Sequence, residues 1–234
     1  MKALITGASR GIGYAIAEEL VRKGFECLLT AKHSDGLEQA AAKLKNIGSQ
    51  KIISCAADLM EPASINSLLD FIEKSHFMPD ALILDAGVFY EGSLLDAPLD
   101  QLRTTLEVNL ISSVHLVKAL VPKLEKSKYP RIVLIGSTAS LEPYAYGPYY
   151  GISKWGVNGL ACNLRSELKR KQIGVTLVTP GGTLTDLWAG EELPPNRLLS
   201  PSDIGKVVGV LFDLSTQAVV ENIIVRPMLG DMHE

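Results

Sequence analysis

Short apolar segments alternate with amphipathic segments along the chain, and their periodicity predicts the secondary structure. Most of the short segments are continuous apolar runs, the pattern of strands that are covered on both faces. The predicted strands are Lys2–Thr6, Glu26–Thr30, 52–56, Ala81–Leu84, Arg131–Ile135, 175–178 and Asn222–Val225. Helical spacing of apolar residues occupies 13–23, 37–46, 62–75, 99–126, 149–171 and 201–214. Seven strands separated by crossover helices predict an α/β fold with a doubly wound parallel sheet and helices on both faces.

Residues 182–200 fit neither pattern. This segment contains two prolines and is too long for an ordinary connection between a strand and a helix. Loops of this length in compact domains are usually functional. Because the segment follows the sixth strand, we expect it over the carboxyl ends of the strands, where such sheets bind ligands. The sequence thus predicts one domain over 1–234, with a substrate lid at about 182–200.

Composition and charge exclude several classes of protein. Of the 234 residues, 47% are apolar, which excludes disorder as the dominant state. The 23 basic and 26 acidic side chains give a net charge of −3, so we expect no nucleic-acid partner. No apolar run has the length of a membrane span, and MKALITGASRG does not read as a signal peptide. The three cysteines are scattered, so we expect a cytoplasmic protein without disulfides. The four histidines are dispersed, so we expect no metal site.

A glycine-rich turn links the first predicted strand to the first predicted helix. Gly7, Gly11 and Gly13 give the spacing G-x-x-x-G-x-G. A turn this tight needs backbone angles and close contacts that a Cβ atom would block. The helix that follows offers unpaired N–H groups and the positive end of its dipole to a diphosphate. The order of strand, turn and helix therefore predicts a nucleotide site.

The end of the second strand bears on which nicotinamide cofactor binds. An NAD enzyme of this fold needs a carboxylate there to accept a hydrogen bond from the ribose 2′-hydroxyl. This strand is followed by Ala31 and Lys32, and Arg10 lies in the glycine turn. Two cations favour a 2′-phosphate, hence NADP(H). Asp35 lies close enough to keep NAD(H) as the less favoured alternative, although this residue is better suited to starting the next helix.

Tyr150 and Lys154 form a Y-x-x-x-K pair at the start of a predicted helix. Residues four apart share a helical face, so the ammonium group can lie beside the phenol. A phenol with a pKa near ~10 is a poor base at neutral pH. We expect the cation to lower that pKa, so that Tyr150 can exchange a proton with a carbonyl or alcohol oxygen. The Y-x-x-x-K spacing often occurs by chance, so the catalytic assignment of this pair depends on the motifs around it.

With these motifs, the chain resembles the short-chain dehydrogenase/reductase family, whose cofactor turn reads TGxxxGIG. The resemblance covers nearly the whole chain. It implies a three-layer α/β/α fold of the Rossmann type and hydride transfer between a nicotinamide and a small carbonyl or alcohol substrate. It also implies that Asp58 binds the adenine. The family motif NNAG is replaced here by LDAG, in which Leu84 and Asp85 depart from the pattern.

The same resemblance completes the predicted site. Ser137 stands thirteen residues before Tyr150, and the implied role of its hydroxyl is to stabilise the substrate oxygen. Asn109 occupies the position of an asparagine that holds a water of a proton relay. Thr185 matches a threonine that contacts the carboxamide. The predicted catalytic residues are Asn109, Ser137, Tyr150 and Lys154. The predicted cofactor residues are Gly7, Ser9, Arg10, Gly11, Ile12, Gly13, Lys32, Asp58, Leu59, Asp85, Ala86, Gly87, Tyr150, Lys154, Pro180, Gly181, Thr183 and Thr185.

The substrate pocket is expected between 139–149 and 182–200. The side chains offered there are Leu141, Glu142, Tyr144, Tyr146, Leu184, Leu187 and Trp188. Mostly apolar and aromatic walls favour a substrate with an apolar body. Trp188 is equally suited to anchoring the loop in the core. The 149–171 helix is apolar on more than one side, which together with the resemblance implies a homodimer or homotetramer.

Three alternatives share parts of this pattern. An extended epimerase or dehydratase would need a larger carboxy-terminal region than the roughly 50 residues that follow Pro180. A catalytically silent NADP(H)-sensing regulator would be expected to lack part of the catalytic set. A 3-oxoacyl carrier-protein reductase belongs to the same reaction class, but no basic cluster for an acidic carrier stands near the lid.

Overall fold

In the computed structural model of the protein, the strands form one parallel sheet. The structure describes residues 1–48, 50–188, 190, 192–194 and 196–231, and Leu187 by its backbone alone. Within these residues, seven strands lie in the order β3-β2-β1-β4-β5-β6-β7. They are β1 (Lys2–Thr6), β2 (Glu26–Thr30), β3 (Ile52–Ser54), β4 (Ala81–Leu84), β5 (Arg131–Ile135), β6 (Gly174–Pro180) and β7 (Asn222–Val225). The order reverses between β1 and β4, which opens a crevice at the carboxyl ends of these two strands.

The predicted helices are present, with one interruption. They are α1 (Gly11–Arg22), α2 (Ser34–Lys45), α3 (Pro62–Lys74), α4 (Leu99–Leu106), α5 (Ser112–Leu124), α6 (Pro148–Leu168) and α7 (Pro201–Val210). The predicted 99–126 helix is divided by a π-helical turn over Glu107–Ile111. In the described part of the chain, no helix combines the length and the apolar character needed to cross a membrane.

Two hydrophobic cores cover the two faces of the sheet. Leu4 of β1 packs in the core formed with α3, α5 and α6. Its neighbours Ala3 and Ile5 pack in the opposite core, formed with α1, α2 and α7. Successive residues of a strand point to opposite faces, so a strand buried on both sides must be apolar throughout. The three-layer α/β/α arrangement predicted from the continuous apolar runs is confirmed.

The 182–200 segment is joined at its two ends. Thr183 and Leu199 form an isolated parallel bridge. The Leu184 N–H donates to the Leu199 carbonyl at 2.8 Å, and the Leu199 N–H donates to the Gly182 carbonyl at 2.9 Å. A short 3₁₀ turn, Asp186–Trp188, lies between them. These bonds close the base of the segment beside the end of β6.

The core predicts a large difference between two identical substitutions. Leu4 is fully buried, whereas Leu95 is 90% exposed. We expect Leu4→Ala to lower the free energy of unfolding by about 3 kcal/mol, because it removes buried methyl groups and leaves a cavity. Leu95→Ala should change it by less than about 0.5 kcal/mol. Urea denaturation measures both, and equal losses would contradict the described packing.

Candidate active site

The glycine turn has the conformation that its sequence predicts. Gly7 has a φ of 68° and Gly11 a φ of 60°, in the left-handed region that favours glycine. At Gly13, an added Cβ would lie 2.6 Å from the Gly7 carbonyl oxygen. Helix α1 begins at Gly11, so the first N–H groups of this helix precede any intrahelical partner. The turn thus presents bare backbone and a helix N-terminus at the crevice between β1 and β4.

The LDAG segment is braced by a hydroxyl group of β1. Thr6 Oγ1 accepts hydrogen bonds from the backbone N–H groups of Asp85 at 3.0 Å and Ala86 at 3.1 Å. The Asp85 carboxyl group lies against the glycine turn, where its Oδ2 would be 2.8 Å from a Cβ on Gly13. The departures from NNAG therefore leave the connection to β1 intact and place a carboxyl group under the turn.

Asn109 lies in the π-helical turn and connects two parts of the site. Its Oδ1 accepts from the Val88 N–H at 2.7 Å, and its Nδ2 donates to the Val88 carbonyl at 3.0 Å. Nδ2 also donates to Ser153 Oγ at 2.9 Å. The amide therefore ties the loop after β4 to α6. π-Helical turns are frequent at functional sites.

The structure brings Ser137, Tyr150 and Lys154 together at the carboxyl end of β5. Ser137 and Tyr150 share a side-chain hydrogen bond. Lys154 Nζ lies 5.5 Å from the centre of the Tyr150 ring. The ammonium group is buried and donates to the Ile135 carbonyl at 2.8 Å. The phenol, the hydroxyl and the ammonium thus share one end of the sheet with the glycine turn.

Electrostatics at this cluster differ from the sequence-based expectation. Burial raises the pKa of Tyr150 to about 12, and the hydrogen bond with Ser137 offsets only part of that rise. Burial also lowers the pKa of Lys154 to about 8, against the favourable field of Asp85. The prediction that the cation lowers the phenol pKa is therefore wrong for the described site, because desolvation of the phenoxide is the larger effect. The Tyr150 phenol is therefore neutral at pH 7, and Lys154 is mostly charged.

The two cations expected at a 2′-phosphate are both in ion pairs. Arg10 pairs with Asp186 of the 182–200 segment at 2.5 Å. Lys32 pairs with Asp58 at 2.8 Å, which raises the pKa of Lys32 and lowers that of Asp58. Asp35 lies in the first turn of α2, as expected. The residue predicted for the adenine and the residue predicted for the phosphate therefore bind each other.

One further cation faces this region and was not predicted. A cavity of about 180 Å³ beside the glycine turn is lined by Ser9, Arg10, Tyr14, Gly36, Gln39, Ala40 and Lys43. Gly36, Gln39 and Lys43 follow helical spacing, so they share the face of α2 that meets the turn. That spacing could have identified Lys43 from the sequence.

The segment after β6 contributes an unused hydroxyl group. The Gly181 N–H donates to the Val225 carbonyl at 2.7 Å, which holds the turn after Pro180. Thr183 Oγ1 donates to the Gly181 carbonyl at 2.9 Å. Thr185 Oγ1 is buried without a hydrogen-bond partner among the described residues. The Thr185 methyl group lies against Gly11, 3.3 Å from where a Cβ would be.

These features fit a dinucleotide along the carboxyl edge of the sheet. Bare glycine backbone and a helix N-terminus suit a diphosphate, and the orphaned Thr185 hydroxyl lacks the partner that a buried polar group requires. Leu59 and Ile12, both predicted to contact the cofactor, differ from the other predicted residues because their side chains pack against the cores. Leu59 is buried in the core with α3, and Ile12 packs against the core with α2 and α7. Leu59 can therefore face a ligand only through its backbone, whereas the side chain of Ile12 stays partly exposed.

An aromatic wall lies beside Tyr150. The centre of the Phe89 ring lies 5.4 Å from that of Tyr150, 6.4 Å from Tyr144 and 6.3 Å from Tyr146. An open cleft of about 440 Å³ is lined by residues 143–146. Phe89 was not singled out by the sequence, although it stands only two residues after Gly87. Aromatic pairs at these distances form a preferred edge-to-face or offset surface.

The other predicted wall residues are less enclosed. Leu141 and Leu184 are exposed, and Glu142 pairs with Arg226 at 3.3 Å. Trp188 is partly buried, and the side chain of Leu187 lies outside the described atoms. The aromatic cluster is therefore the better-defined side of the cleft.

Comparison with known proteins gives consistent matches over the chain. A family model described as short chain dehydrogenase matches residues 1–194. A 3-oxoacyl-[acyl-carrier-protein] reductase from Haemophilus influenzae is 32% identical over 219 residues, 89% of each chain. An alcohol dehydrogenase from Thermococcus sibiricus, complexed with 5-hydroxy-NADP, has a TM-score of 0.91 at 25% identity, over 100% of this chain and 99% of that one. A metagenomic short-chain oxidoreductase in complex with NADP has a TM-score of 0.85 at 32% identity, over 98% of both chains.

The Asn109 bridge predicts a large loss of stability for a small substitution. Asn109→Ala would leave both Val88 backbone groups without their partners, and buried polar groups without partners cost about 1–3 kcal/mol each. We expect the free energy of unfolding to fall by about 3 kcal/mol. The exposed amide of Asn163 bonds only within α6, so Asn163→Ala should cost less than about 1 kcal/mol. Similar losses for the two variants, measured by urea denaturation, would show that the bridge does not stabilise the fold.

Proposed function

The chain belongs to the short-chain dehydrogenase family, and we propose that it is an NADP(H)-dependent carbonyl reductase or alcohol dehydrogenase. Its substrate would be a small to medium, largely apolar carbonyl compound or secondary alcohol. The arrangement of Tyr150, Ser137 and Lys154 on the same sheet edge as the glycine turn carries this proposal. In it, one domain over 1–234 binds the cofactor and 182–200 forms the lid.

Tyr150 is the proton donor of the proposed reaction. When bound, the nicotinamide supplies a hydride to the carbonyl carbon in one direction and accepts it in the other. Tyr150 donates its phenolic proton to the carbonyl oxygen, which becomes the alcohol. Ser137 hydrogen-bonds the same oxygen and stabilises the negative charge that develops there. The raised pKa of Tyr150 suits this direction, because the phenol is fully protonated before the reaction.

Lys154 stabilises the phenoxide that remains on Tyr150. With a pKa of about 8, the ammonium is mostly charged at pH 7, and its bond to Ile135 fixes its position. Above that pKa the group loses its charge and its effect on the phenoxide. The role implied for Asn109, to hold a water between Lys154 and solvent, stays a prediction.

The cofactor preference rests on three cations near the glycine turn. Arg10 and Lys43 line one cavity, and Lys32 stands at the end of β2. In the ion pairs Arg10–Asp186 and Lys32–Asp58, the 2′-phosphate would replace the carboxylate as the partner of the cation. Bound NADP or NADPH in several structural relatives supports the same preference.

The aromatic wall supports a substrate with an apolar body. Phe89, Tyr144 and Tyr146 surround the approach to Tyr150 with rings rather than charges. The carrier-protein reductase activity of a relative gives a second candidate, an acyl thioester. Against it, the cations flanking the cleft are engaged. Arg226 pairs with Glu142, and Arg197 donates to the backbone at Gly230 and Asp231.

An exposed apolar surface on the long helices supports assembly with further copies. Trp155 and Ile152 of α6 are 51% and 43% exposed, and Ile111 is 47% exposed. A tryptophan and two isoleucines in this state are typical of a surface that becomes covered. We propose a homodimer or homotetramer formed through α6.

Removal of one hydroxyl group tests the proposed chemistry. Tyr150→Phe should lower turnover of ketones or aldehydes at least ~100-fold, because no other group donates the proton. NADPH binding should stay within about threefold. A panel of ketones, aldehydes, alcohols and an acetoacetyl thioester, followed by nicotinamide absorbance, measures the rates.

The neighbouring tyrosine gives a matched control. The Tyr149 hydroxyl donates to the Ala97 carbonyl at 2.8 Å, away from Ser137 and Lys154. Tyr149→Phe should therefore cost about 1 kcal/mol of stability and leave turnover nearly unchanged. Near-parental rates in Tyr150→Phe would refute the assignment. Cofactor binding without turnover of any compound by the parent protein would favour the sensing role.

A second prediction concerns the cofactor phosphate. Arg10→Ala should weaken NADPH binding about tenfold through the loss of one charge-assisted contact, and leave NADH binding within twofold. Arg22 lies at the other end of α1, so Arg22→Ala should change neither affinity. Fluorescence titration of the parent and both variants with both cofactors measures the six dissociation constants. Equal weakening of NADPH and NADH in Arg10→Ala would show that Arg10 does not recognise the 2′-phosphate.

A further inference from the structure

The carboxyl group of Asp85 lies at the N-terminus of the helix that would bind the cofactor diphosphate. Its Oδ2 lies against Gly13, in the first turn of α1, and the Gly13 N–H favours the ionised form of the carboxyl group. Gly13 is one of the positions whose N–H groups have no partner within the helix. The same helix terminus is where a diphosphate is expected. Two anions would therefore share one N-terminus.

Close packing keeps this carboxyl group under the turn. Its Oδ2 lies 2.8 Å and 3.2 Å from the positions that Cβ atoms would take on Gly13 and Gly7. The Asp85 backbone is held by the Thr6 hydroxyl at 3.0 Å. A side chain enclosed in this way cannot turn away when a second anion arrives, so the repulsion has to be relieved by a proton.

The charges around Asp85 are few. Lys154 of α6 is the cation that acts on it, but that ammonium donates to the Ile135 carbonyl. Tyr150, on the same helix, is neutral at pH 7. The residues of the glycine turn that lie against Asp85 are Gly7 and Gly13, which offer backbone groups alone, and Arg10 of that turn pairs with Asp186. Among the described residues Asp85 forms no ion pair. Burial raises the pKa of Asp85 to about 6, so a modest added field is enough to change its protonation near neutral pH.

We propose that Asp85 couples cofactor binding to proton uptake, so that binding of the dinucleotide shifts the Asp85 carboxylate towards its protonated form, with the proton taken from solvent. This inference rests on the proposed cofactor site. An asparagine at this position, as in the motif the segment resembles, could not take up the proton.

The direction of the effect follows from linkage. The diphosphate disfavours the ionised carboxylate, so the pKa of Asp85 is higher in the complex than in the free protein. Affinity is then greatest below the free pKa of about 6 and falls as the pH rises towards the pKa of the complex. A rise of about one unit corresponds to about a tenfold loss of affinity over that range.

Isothermal titration of NADPH at pH 6.5, in buffers with different ionisation enthalpies, counts the protons taken up. For a rise of about one unit, the Asp85 contribution is about half a proton. This pH lies well below the pKa of Lys154, about 8, so the lysine contributes little. The 2′-phosphate titrates in the same range, but its contribution is common to all variants and cancels in their difference.

The isosteric variant Asp85→Asn isolates the effect. We expect its uptake to be smaller by about half a proton, and its NADPH affinity at pH 8 to be about tenfold higher than that of the parent. Asp213→Asn removes the same charge from an exposed position and should match the parent in both respects. If Asp85→Asn is too unstable to measure, the parent is titrated with NADH, which has no 2′-phosphate. Uptake of about half a proton there supports the proposal.

The outcomes separate the two proposals. Binding with equal proton uptake in the parent and in Asp85→Asn overturns the role of Asp85 and leaves the proposed function standing. If the parent binds NADH without proton uptake, the role of Asp85 is likewise overturned and the proposed function stands. Failure of the parent to bind either cofactor at any pH overturns the proposed function itself.

Discussion

The buried ammonium group of Lys154 is the constraint on which the rest of the site depends. A charge taken out of water is costly unless it is paired or hydrogen-bonded, and here the Ile135 carbonyl and the field of Asp85 provide that compensation. The carbonyl belongs to the end of β5, so the sheet itself fixes the position of the charge. One helical turn earlier on α6, Tyr150 is held beside it. The contacts that compensate the buried charge of Lys154 therefore also fix the position of Tyr150, the proposed proton donor.

Burial also shifts the pKa values of the ionisable groups of the site, each in the direction that favours its neutral form. It keeps Tyr150 protonated, lowers the pKa of Lys154 to about 8, and makes Asp85 a weaker acid than an exposed carboxyl group. All three shifts have the same largest cause, the loss of solvation on burial. Near the surface the situation differs, because Arg10 and Lys32 have carboxylate partners in the protein. A phosphate bound there replaces existing pairs, so its net contribution is smaller than the number of cations indicates.

The sheet and the helices could be predicted from the sequence because each element repeats a simple pattern. Short continuous apolar runs are typical of strands covered on both sides, and β1 shows this with Leu4 in one core and Ile5 in the other. The glycine turn could equally be predicted from the sequence, because positive φ angles and close contacts restrict which residues can stand there. The π-helical turn around Asn109 was not, because it arises from tertiary hydrogen bonds to Val88 and Ser153.

The electrostatics of the site were the least accessible to sequence. Proximity of Tyr150 and Lys154 predicts a lowered phenol pKa, but burial, which no local pattern reveals, reverses the direction. The ion pair between Lys32 and Asp58 joins the ends of two strands, so it depends on their order in the sheet. Phe89 likewise becomes part of the aromatic wall only through the packing of its loop against α6.

A crystal structure of the protein with NADPH would show directly whether the cofactor lies beside Tyr150. We expect the diphosphate on the N–H groups at the start of α1. The nicotinamide should lie where a carbonyl carbon about 3–3.5 Å from the ring C4 has its oxygen within reach of the Tyr150 and Ser137 hydroxyl groups. The Lys154 ammonium should remain at the Ile135 carbonyl or move towards the ribose. A nicotinamide placed away from Tyr150, or a diphosphate bound elsewhere than at the glycine turn, would contradict the proposed catalytic arrangement.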